Sequence, residues 1–456
     1  VRLRKAVLRQ RVNASAALRF EATGLTSHAG MEFIRGYFSR LGLRARIRRL
    51  AGAVLPSSDF GRARMVLLSL ILIISGGRRL RHVDYLSGDP VIGRCCGLSR
   101  LPSSRTLGRW LHRFDERSVA SLSQLNDEMV GAAIDAAGLS RLTVDVDGSV
   151  VSTGLKVAGA RRGYNPHRRK VPSYYPITAY EAQSGQILRV LNRSGNVHDG
   201  NASLTFLRGL VERLKPGGRR LEFRMDGAFF RADVLDLLDD AGAEYAIKVP
   251  FFDWLGLKES IRSRRRWRRV DETVECFELR LAVKPWGRRE RVVVYRKRVY
   301  HRTAKNFQLD LFDPDDGYFE YAAIATNKSL SGRYLWHFMC GRGTHEKVYG
   351  ELKHGFAFNC VPSMDYHANS AWQILSVMAF NLMRSFQVTA GIRRRRSNRK
   401  RRAIYRFETI QTLRFRYLQR AGLLLRPAGR TTLDVGCAPP IKETFMNLDR
   451  QLKKAA

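Results

Sequence analysis

Leu142-Thr143-Val144-Asp145-Val146-Asp147-Gly148-Ser149-Val150-Val151 is the stretch that decides the fold class. Apolar and polar residues alternate with period two, the pattern of a strand with one face buried. The alternation puts Asp145 and Asp147 on the same face, and Gly148 interrupts it directly after Asp147. A second strand ends the same way: Leu221-Glu222-Phe223-Arg224-Met225-Asp226 runs into Gly227. An acid at a strand end, beside a glycine where the backbone turns, is placed to face a cleft.

Further strands are predicted around these two at residues 174–178, 187–191 and 244–249, with Gln183-Ser184-Gly185 as a turn. Helical spacing covers residues 198–214, stopped by Pro216-Gly217-Gly218, and residues 232–238, ended by Gly242. Three strands, a helix, a strand, a helix and a strand make a mixed α/β layer domain.

Upstream, residues 31–114 read as helical. Residues 65–74 are apolar but for one serine, about half the ~20 residues that a membrane span needs, so they form a buried helix. Leu101-Pro102-Ser103-Ser104-Arg105-Thr106 offers N-cap residues for a helix carrying Leu107, Trp110, Leu111 and Phe114 on one face. Arg105 and Arg109 fall on other faces. Such a helix suits the major groove of DNA, and a solvated basic face on a packing helix is the competing reading.

Downstream of Pro250 the texture turns to β. A basic run at residues 262–269 surrounds Trp267, and segments 274–283 and 291–299 flank Pro285-Trp286-Gly287 as a hairpin insertion. A strand at 318–326 follows, then helices at 344–353 and 368–386, then the cationic runs 393–396 and 399–402.

The charge balance is extreme: 81 Lys and Arg against 41 Asp and Glu, a formal +40. An excess of this size repels itself in a compact state and fits a polyanionic partner, nucleic acid above all. The six cysteines include no Cys-x-x-Cys pair, which argues against a zinc ribbon or a disulfide scaffold and for a reducing compartment. No P-loop occurs in the glycine-containing stretch 154–163, so no nucleotide cofactor is expected. The arginine-rich start has the composition of a transit peptide, but basic residues are as dense elsewhere, and no targeting segment is read from it.

A third acid, Glu346, opens the helix that runs to Lys353. Three carboxylates brought together raise one another's pKa, and divalent cations remove that penalty. Hard oxygen donors suit Mg²⁺ or Mn²⁺, and two such ions ~3.5–4 Å apart activate a hydroxyl and stabilise the leaving oxygen of a phosphodiester. Spacing alone leaves Asp145 as an alternative to Asp147, and Glu351 as a competitor of Glu346. His167, His198 and His345 are read as turn, cap and packing residues rather than as catalytic ones.

At these residues the chain resembles the bacterial insertion-sequence DDE transposases, RNase H-like proteins, and within them the IS-thirteen-eighty group. The carrying segments are 144–151, 163–167 with 172–176, 195–198, 224–230, and Arg342-Gly343-Thr344-His345-Glu346 running on to Glu351-Leu352-Lys353-His354-Gly355-Phe356. The resemblance implies Asp147, Asp226 and Glu346 as catalytic, metal-binding residues for Mg²⁺ or Mn²⁺, two ions. It places Arg342 and Lys353 near DNA phosphates, with Met339 where relatives carry a tyrosine. It also implies a β-rich insertion whose aromatic side chain stacks on a base, for which Trp254, Trp267 and Trp286 are candidates. Trp267, between arginines, fits best.

The implied activity is metal-dependent cleavage of double-stranded DNA at the terminal inverted repeats of a transposon and strand transfer into target DNA. It implies a dimer or higher assembly on DNA, no membrane, and a cytoplasmic, nucleoid-associated bacterial protein. The rivals are an RNase H-like nuclease without strand transfer and a non-catalytic DNA-binding relic. The fold expected is α/β: an RNase H-like mixed sheet with flanking helices, a β-rich insertion and a mostly helical N-terminal domain. The divisions are 1–140 (DNA-binding), 141–250 (core), 251–330 (insertion), 331–392 (C-terminal core helices) and 393–456 (basic segment).

Overall fold

The computed structural model describes residues 20–299 and 319–454, except 155, 164, 166, 167, 169, 198–201, 393, 396–402 and 437, and also residues 4, 5, 16 and 18. The N-terminal region is helical: α1 (Met31–Arg40), α2 (Leu43–Ala51), α3 (Arg62–Ser75), α4 (Pro90–Cys96), α5 (Ser104–Leu111) and α6 (Glu116–Ala136). α3 contains the apolar run, is buried on every side from Met65 onward, and stops at Gly76, whose φ of 108° is the left-handed cap that glycine provides. No helix among the described residues is long and apolar enough to cross a membrane.

Nine strands form one mixed sheet: β1 (Arg141–Gly148), β2 (Ile177–Glu181), β3 (Gln186–Leu191), β4 (Arg220–Met225), β5 (Glu244–Val249), β6 (Arg268–Arg269), β7 (Val274–Val283), β8 (Arg288–Arg298) and β9 (Phe319–Thr326). The spatial order is β3-β2-β1-β4-β5-β9-β8-β7-β6. β1, β2 and β3 are mutually antiparallel, and β1, β4 and β5 run parallel. An antiparallel meander followed by two parallel strands in the order 3-2-1-4-5 is the RNase H-like arrangement. The β-rich segment then continues the same sheet. β9 pairs antiparallel with β5 and so covers the edge that the parallel pair would leave open.

The remaining helices are α7 (Ser203–Leu214), α8 (Ala232–Asp240), α9 (Gly332–Cys340), α10 (Gly343–Gly355) and α11 (Tyr366–Thr389). Strand alternation separates two faces. Val144, Val146, Phe223, Met225 and Ile247 share a core with Leu207 and Leu210 of α7 and Leu235 of α8. The opposite face carries Asp145, Asp147 and Arg224 and looks toward α9 and α10. α11 is buried along most of its length and joins the N-terminal helices to α10 in a second core. α6 belongs to both, with Leu122 and Leu125 in one core and Val130 and Ile134 in the other. The helical N-terminal region therefore packs directly on the sheet domain.

Several boundaries differ from the sequence expectations. Pro176, which has no N–H for a ladder, splits the strand expected at 174–178: Ser173–Tyr174 pairs with Val151–Ser152, and β2 starts at Ile177. β1 stops at Gly148 rather than Val151. Of the helix expected at 198–214, residues 198–201, with His198, lie outside the described residues, as does His167. β8 starts at Arg288, three residues before its expected start at 291, because Gly287 at φ 62° closes the turn from Lys284–Trp286 tightly.

Candidate active site

The register of the parallel strands assembles the site. Asp145 pairs with Arg224, and Val146 with Met225; one residue further, Asp147 stands beside Asp226. Arg224 pairs with Ala246, and Met225 with Ile247, so Lys248 comes next to Asp226. On the other side Asp147 pairs with Thr178. Thr178, Asp147, Asp226 and Lys248 thus form one row across β2, β1, β4 and β5.

One step below the row, Asp145 is fully buried in a two-pronged pair with Arg224, whose Nη2 is 2.7 Å from Oδ2. Arg224 Nη1 donates to the Phe338 carbonyl of α9 at 2.8 Å. Burial pushes the Asp145 carboxyl upward against the pull of Arg224 and Arg342. This pair is sealed from solvent, whereas Asp147 is only partly buried, and so the two acids left open by the sequence differ sharply in setting.

Asp147 Oδ1 accepts from the Gly148 N–H at 2.9 Å, and its Oδ2 from Arg342 Nη1 at 2.8 Å. Asp226 Oδ1 accepts from the Gly227 N–H at the start of the turn Gly227–Phe229. Glu346 lies in the first turn of α10 with its side chain 66% exposed, its Oε1 3.8 Å from Arg342 Nη2. Burial pulls the Arg342 pKa down, but Asp147, Asp226, Glu346 and Asp145 outweigh it and hold the guanidinium firmly charged. The three acids are gathered around Arg342. Among the described residues no three His, Cys, Asp or Glu side chains meet as a ready metal cage.

Lys353 does not reach the acids. Its Nζ donates to the Val150 carbonyl at 3.1 Å and braces the chain just after Asp147. Burial lowers its pKa, and Asp147 opposes that. Tyr349 does similar work: its hydroxyl donates to the Asp147 carbonyl at 2.7 Å and accepts from Thr178 Oγ1 at 2.7 Å. His345 Nε2 lies 2.9 Å from Thr178 Oγ1, and the ring stacks on Tyr180 and Tyr349. Burial, with Arg342 and Arg224, lowers its pKa to about 3, so it is a neutral packing ring. Glu351 pairs with Arg384 and accepts from the Ile410 N–H at 2.9 Å, a structural tie. Met339 is buried in the same core cluster as Ala246.

The other sequence candidates lie apart. Arg105 and Arg109 are exposed on α5, whose Leu107, Trp110 and Leu111 are buried, and they make no hydrogen bond or ion pair among the described residues. The Trp267 ring packs edge-on against Phe277 at 4.7 Å under the Arg296 guanidinium at 4.4 Å, and its N–H bonds to the Arg264 carbonyl. Trp254 is 52% exposed, stacked beside the equally exposed Phe252, and joined through Trp286 to Phe230. Phe230 of that aromatic ridge follows Asp226, Phe252 and Trp254 follow Lys248, and Trp286 comes from the turn between β7 and β8. Of the cationic run at 393–402, only the backbone of residues 394 and 395 is described.

Lys248 is the residue that sequence reasoning missed. Its signal was a lone lysine inside Tyr245-Ala246-Ile247-Lys248-Val249, an otherwise apolar strand, because lysine is almost never buried without a reason. Burial and Arg342 press its pKa down, while Asp226, Asp147 and Glu346 pull it up.

A comparison with curated proteins finds no match to this chain. Among solved structures, the chain is similar to the piggyBac transposase synaptic complex with hairpin DNA, determined by cryo-EM, at 8% identity over 93% of this chain and 81% of that one, with a TM-score of 0.43. The sequence model of the family "Transposase DDE domain group 1" matches residues 8–456, and the chain belongs to that family.

Proposed function

We propose that the chain is an active transposase of the IS-thirteen-eighty group, which cuts double-stranded DNA at the ends of its element and joins them to target DNA. The observation that carries this reading is the pair of acids Asp147, at the end of β1, and Asp226, just past the end of β4. Each is one residue beyond the last paired position of these two strands, with Arg342 at the start of α10 bonded to Asp147 and 3.8 Å from Glu346. The donors are all carboxylate oxygens, and a backbone N–H fixes one oxygen of each aspartate. Such a set fits Mg²⁺ or Mn²⁺. Asp147, Asp226 and Glu346 would hold two ions, whose chemistry is to activate the attacking hydroxyl and stabilise the leaving oxygen.

The chain's own residues do the rest. Arg342 holds Asp147 and faces Glu346, and its planar guanidinium would be a fork donor for a phosphate entering there. Tyr349 and Lys353 fix the backbone at Asp147 and three residues beyond it. The buried Asp145–Arg224 pair anchors the row from below.

Double-stranded DNA as partner is supported by the +40 charge and by an arginine cluster on the N-terminal helices. Arg44 and Arg48 of α2 and Arg62 and Arg64 of α3 line one pocket. Arg44 Nε and Arg64 Nε are buried there without a hydrogen-bond partner. Nearby arginines are neutralised, Arg35 and Arg94 by Glu32, Arg46 and Arg49 by Glu128. The pocket's four have no carboxylate partner among the described residues, which fits backbone phosphate as their ligand. Arg105 and Arg109 offer a second basic face on the same region. Two ends must be held together for joining, so we infer at least a dimer on DNA, working at the bacterial nucleoid.

The test is cleavage and strand transfer on labelled DNA carrying the element's ends, with Mg²⁺ or Mn²⁺, beside Asp147→Asn and Glu346→Gln. Joined products that need metal and vanish in both variants support the reading. Cutting without joining indicates a nuclease. Binding without cutting in any metal indicates a relic.

A further inference from the structure

Lys248 stands at the end of the row of acids, and among the described residues no side chain bonds its ammonium. It is one residue past the last paired position of β5 against β4, level with Asp226, and it pairs with Ile324 of β9 on its other side. Both neighbouring strands therefore fix where it sits. A Cβ built on Gly227 would come 3.7 Å from the Lys248 carbonyl and 3.8 Å from Pro250, so the two strand ends are also in close contact. The side chain is half-buried.

The other cations on this face of the sheet already have a side-chain or backbone partner. Arg224 is spent on Asp145, Arg342 reaches Asp147, and Lys353 holds the Val150 carbonyl. Lys328, buried toward the other end of β4 and β5, bonds Glu222 at 3.1 Å and Glu244. Lys248 makes no hydrogen bond or ion pair among the described residues, although Asp226, Asp147 and Glu346 all contribute to its electrostatic surroundings. An ammonium carries three donors and no acceptor. Half-buried at the mouth of an acidic site, its donors call for an anionic ligand, and a phosphodiester entering over Asp147 and Asp226 would supply one.

We propose that Lys248 is a catalytic residue of this site, binding a non-bridging oxygen of the scissile phosphate. The assignment rests on the transposase reading above. As the attacking oxygen bonds to phosphorus and the bond to the 3′ oxygen breaks, negative charge builds on the non-bridging oxygens, and Lys248 meets it as a fixed point charge while keeping its own proton. Asp147, Asp226 and Glu346 would hold the ions that act on the attacking and leaving oxygens; Lys248 serves a non-bridging oxygen.

The test uses the full chain with Mg²⁺ and end DNA whose scissile phosphate is native or replaced by each methylphosphonate stereoisomer, which removes one non-bridging oxygen. Lys248→Met is expected to cut native DNA about 10²–10³-fold more slowly, with end-DNA affinity and unfolding midpoint close to wild type, and Lys248→Arg to restore part of the rate. On one stereoisomer, wild type and Lys248→Met should cut equally slowly, because the contact is already gone. Should Lys248→Met not fold, Lys248→Gln takes its place. Wild-type rates in the methionine variant, or penalties that multiply on both stereoisomers, overturn the assignment while leaving the transposase intact. A wild-type protein that cuts no DNA overturns both.

Discussion

Arg342 Nη1 lies 2.8 Å from Asp147 Oδ2, tying the start of α10 to the end of β1 across the cleft. Charge-assisted bonds of this kind contribute about 1.5–3 kcal/mol, so Arg342→Gln should lower stability by roughly that amount in urea unfolding. It should remove cleavage far more completely. Arg342→Lys should recover stability better than activity, since a point charge lacks the fork that reaches Asp147 and Glu346 together. Equal recovery of both would show that the fork is not needed.

Asp145 and Asp147, two residues apart on one strand face, should differ in the balance of stability and activity that each supports. Asp145→Ala strands the buried Arg224 guanidinium and should cost about 3–5 kcal/mol of stability. Asp147→Asn keeps the hydrogen bond from Gly148 but turns its NH2 toward Arg342. It should therefore cost no more stability than Arg342→Gln, about 1.5–3 kcal/mol, while abolishing metal-dependent cutting. Comparing denaturation with cleavage for both variants checks this. A stable Asp145→Ala protein would contradict the buried pair.

The contrast also marks what the sequence made legible. Period-two spacing located β1 and β4 and the acids at their ends, because a half-buried strand writes its register into the chain. Which acid faces the cleft was not written there, since both share a face and only the partner Arg224, distant in sequence, distinguishes them. Lys248 stayed hidden for the same reason: its neighbours in the row come from β4 and β9, and strand order is a tertiary fact. The nine-strand continuity of the sheet and the double membership of α6 were invisible too, because each depends on which edges meet.

Glu181 gives a pH signature remote from the cleavage chemistry. It is fully buried, and accepts from the Gln183 N–H at 2.8 Å and the Ser184 N–H at 2.6 Å. Burial raises its pKa from 4.5 to about 7, against those hydrogen bonds. With the folded value above the unfolded one, the native state holds the proton more tightly. The resulting stability is complete below pH 4.5 and is lost as pH rises to about 7. Glu181→Gln should therefore gain stability over wild type at pH 8, with the gap closing toward pH 4.5. A gap that stays constant with pH would refute the raised pKa.

The tryptophans should separate by role. Trp267, held by Phe277 and Arg296, should cost on the order of 2 kcal/mol of stability when replaced by alanine. Trp254, half exposed on the ridge beyond Asp226, should cost little stability. If the ridge stacks on an unpaired base, Trp254→Ala should weaken binding to end DNA with a flipped or missing base pair by about 1–3 kcal/mol. Thermal unfolding and anisotropy on matched and gapped DNA read the two effects. Loss of stacking in Trp267→Ala alone would restore the sequence's first choice.

Binding should also report the arginine pocket through salt. Each phosphate contact lowers the slope of log affinity against log salt by about 0.9 for duplex DNA. Burial, with Arg48 and Arg64, lowers the Arg44 pKa, the mark of a site whose charges repel until an anion arrives. The double variant Arg44→Gln, Arg64→Gln should therefore bind end DNA and scrambled DNA more weakly by the same factor, with a salt slope shallower by about one to two. Phosphate contacts position the duplex and carry no sequence information, so a loss confined to end DNA would mean base contacts instead. Arg105→Gln with Arg109→Gln provides the comparison. If α5 enters the major groove, that pair should erode the preference for end DNA over scrambled DNA, whereas the pocket variant should preserve it.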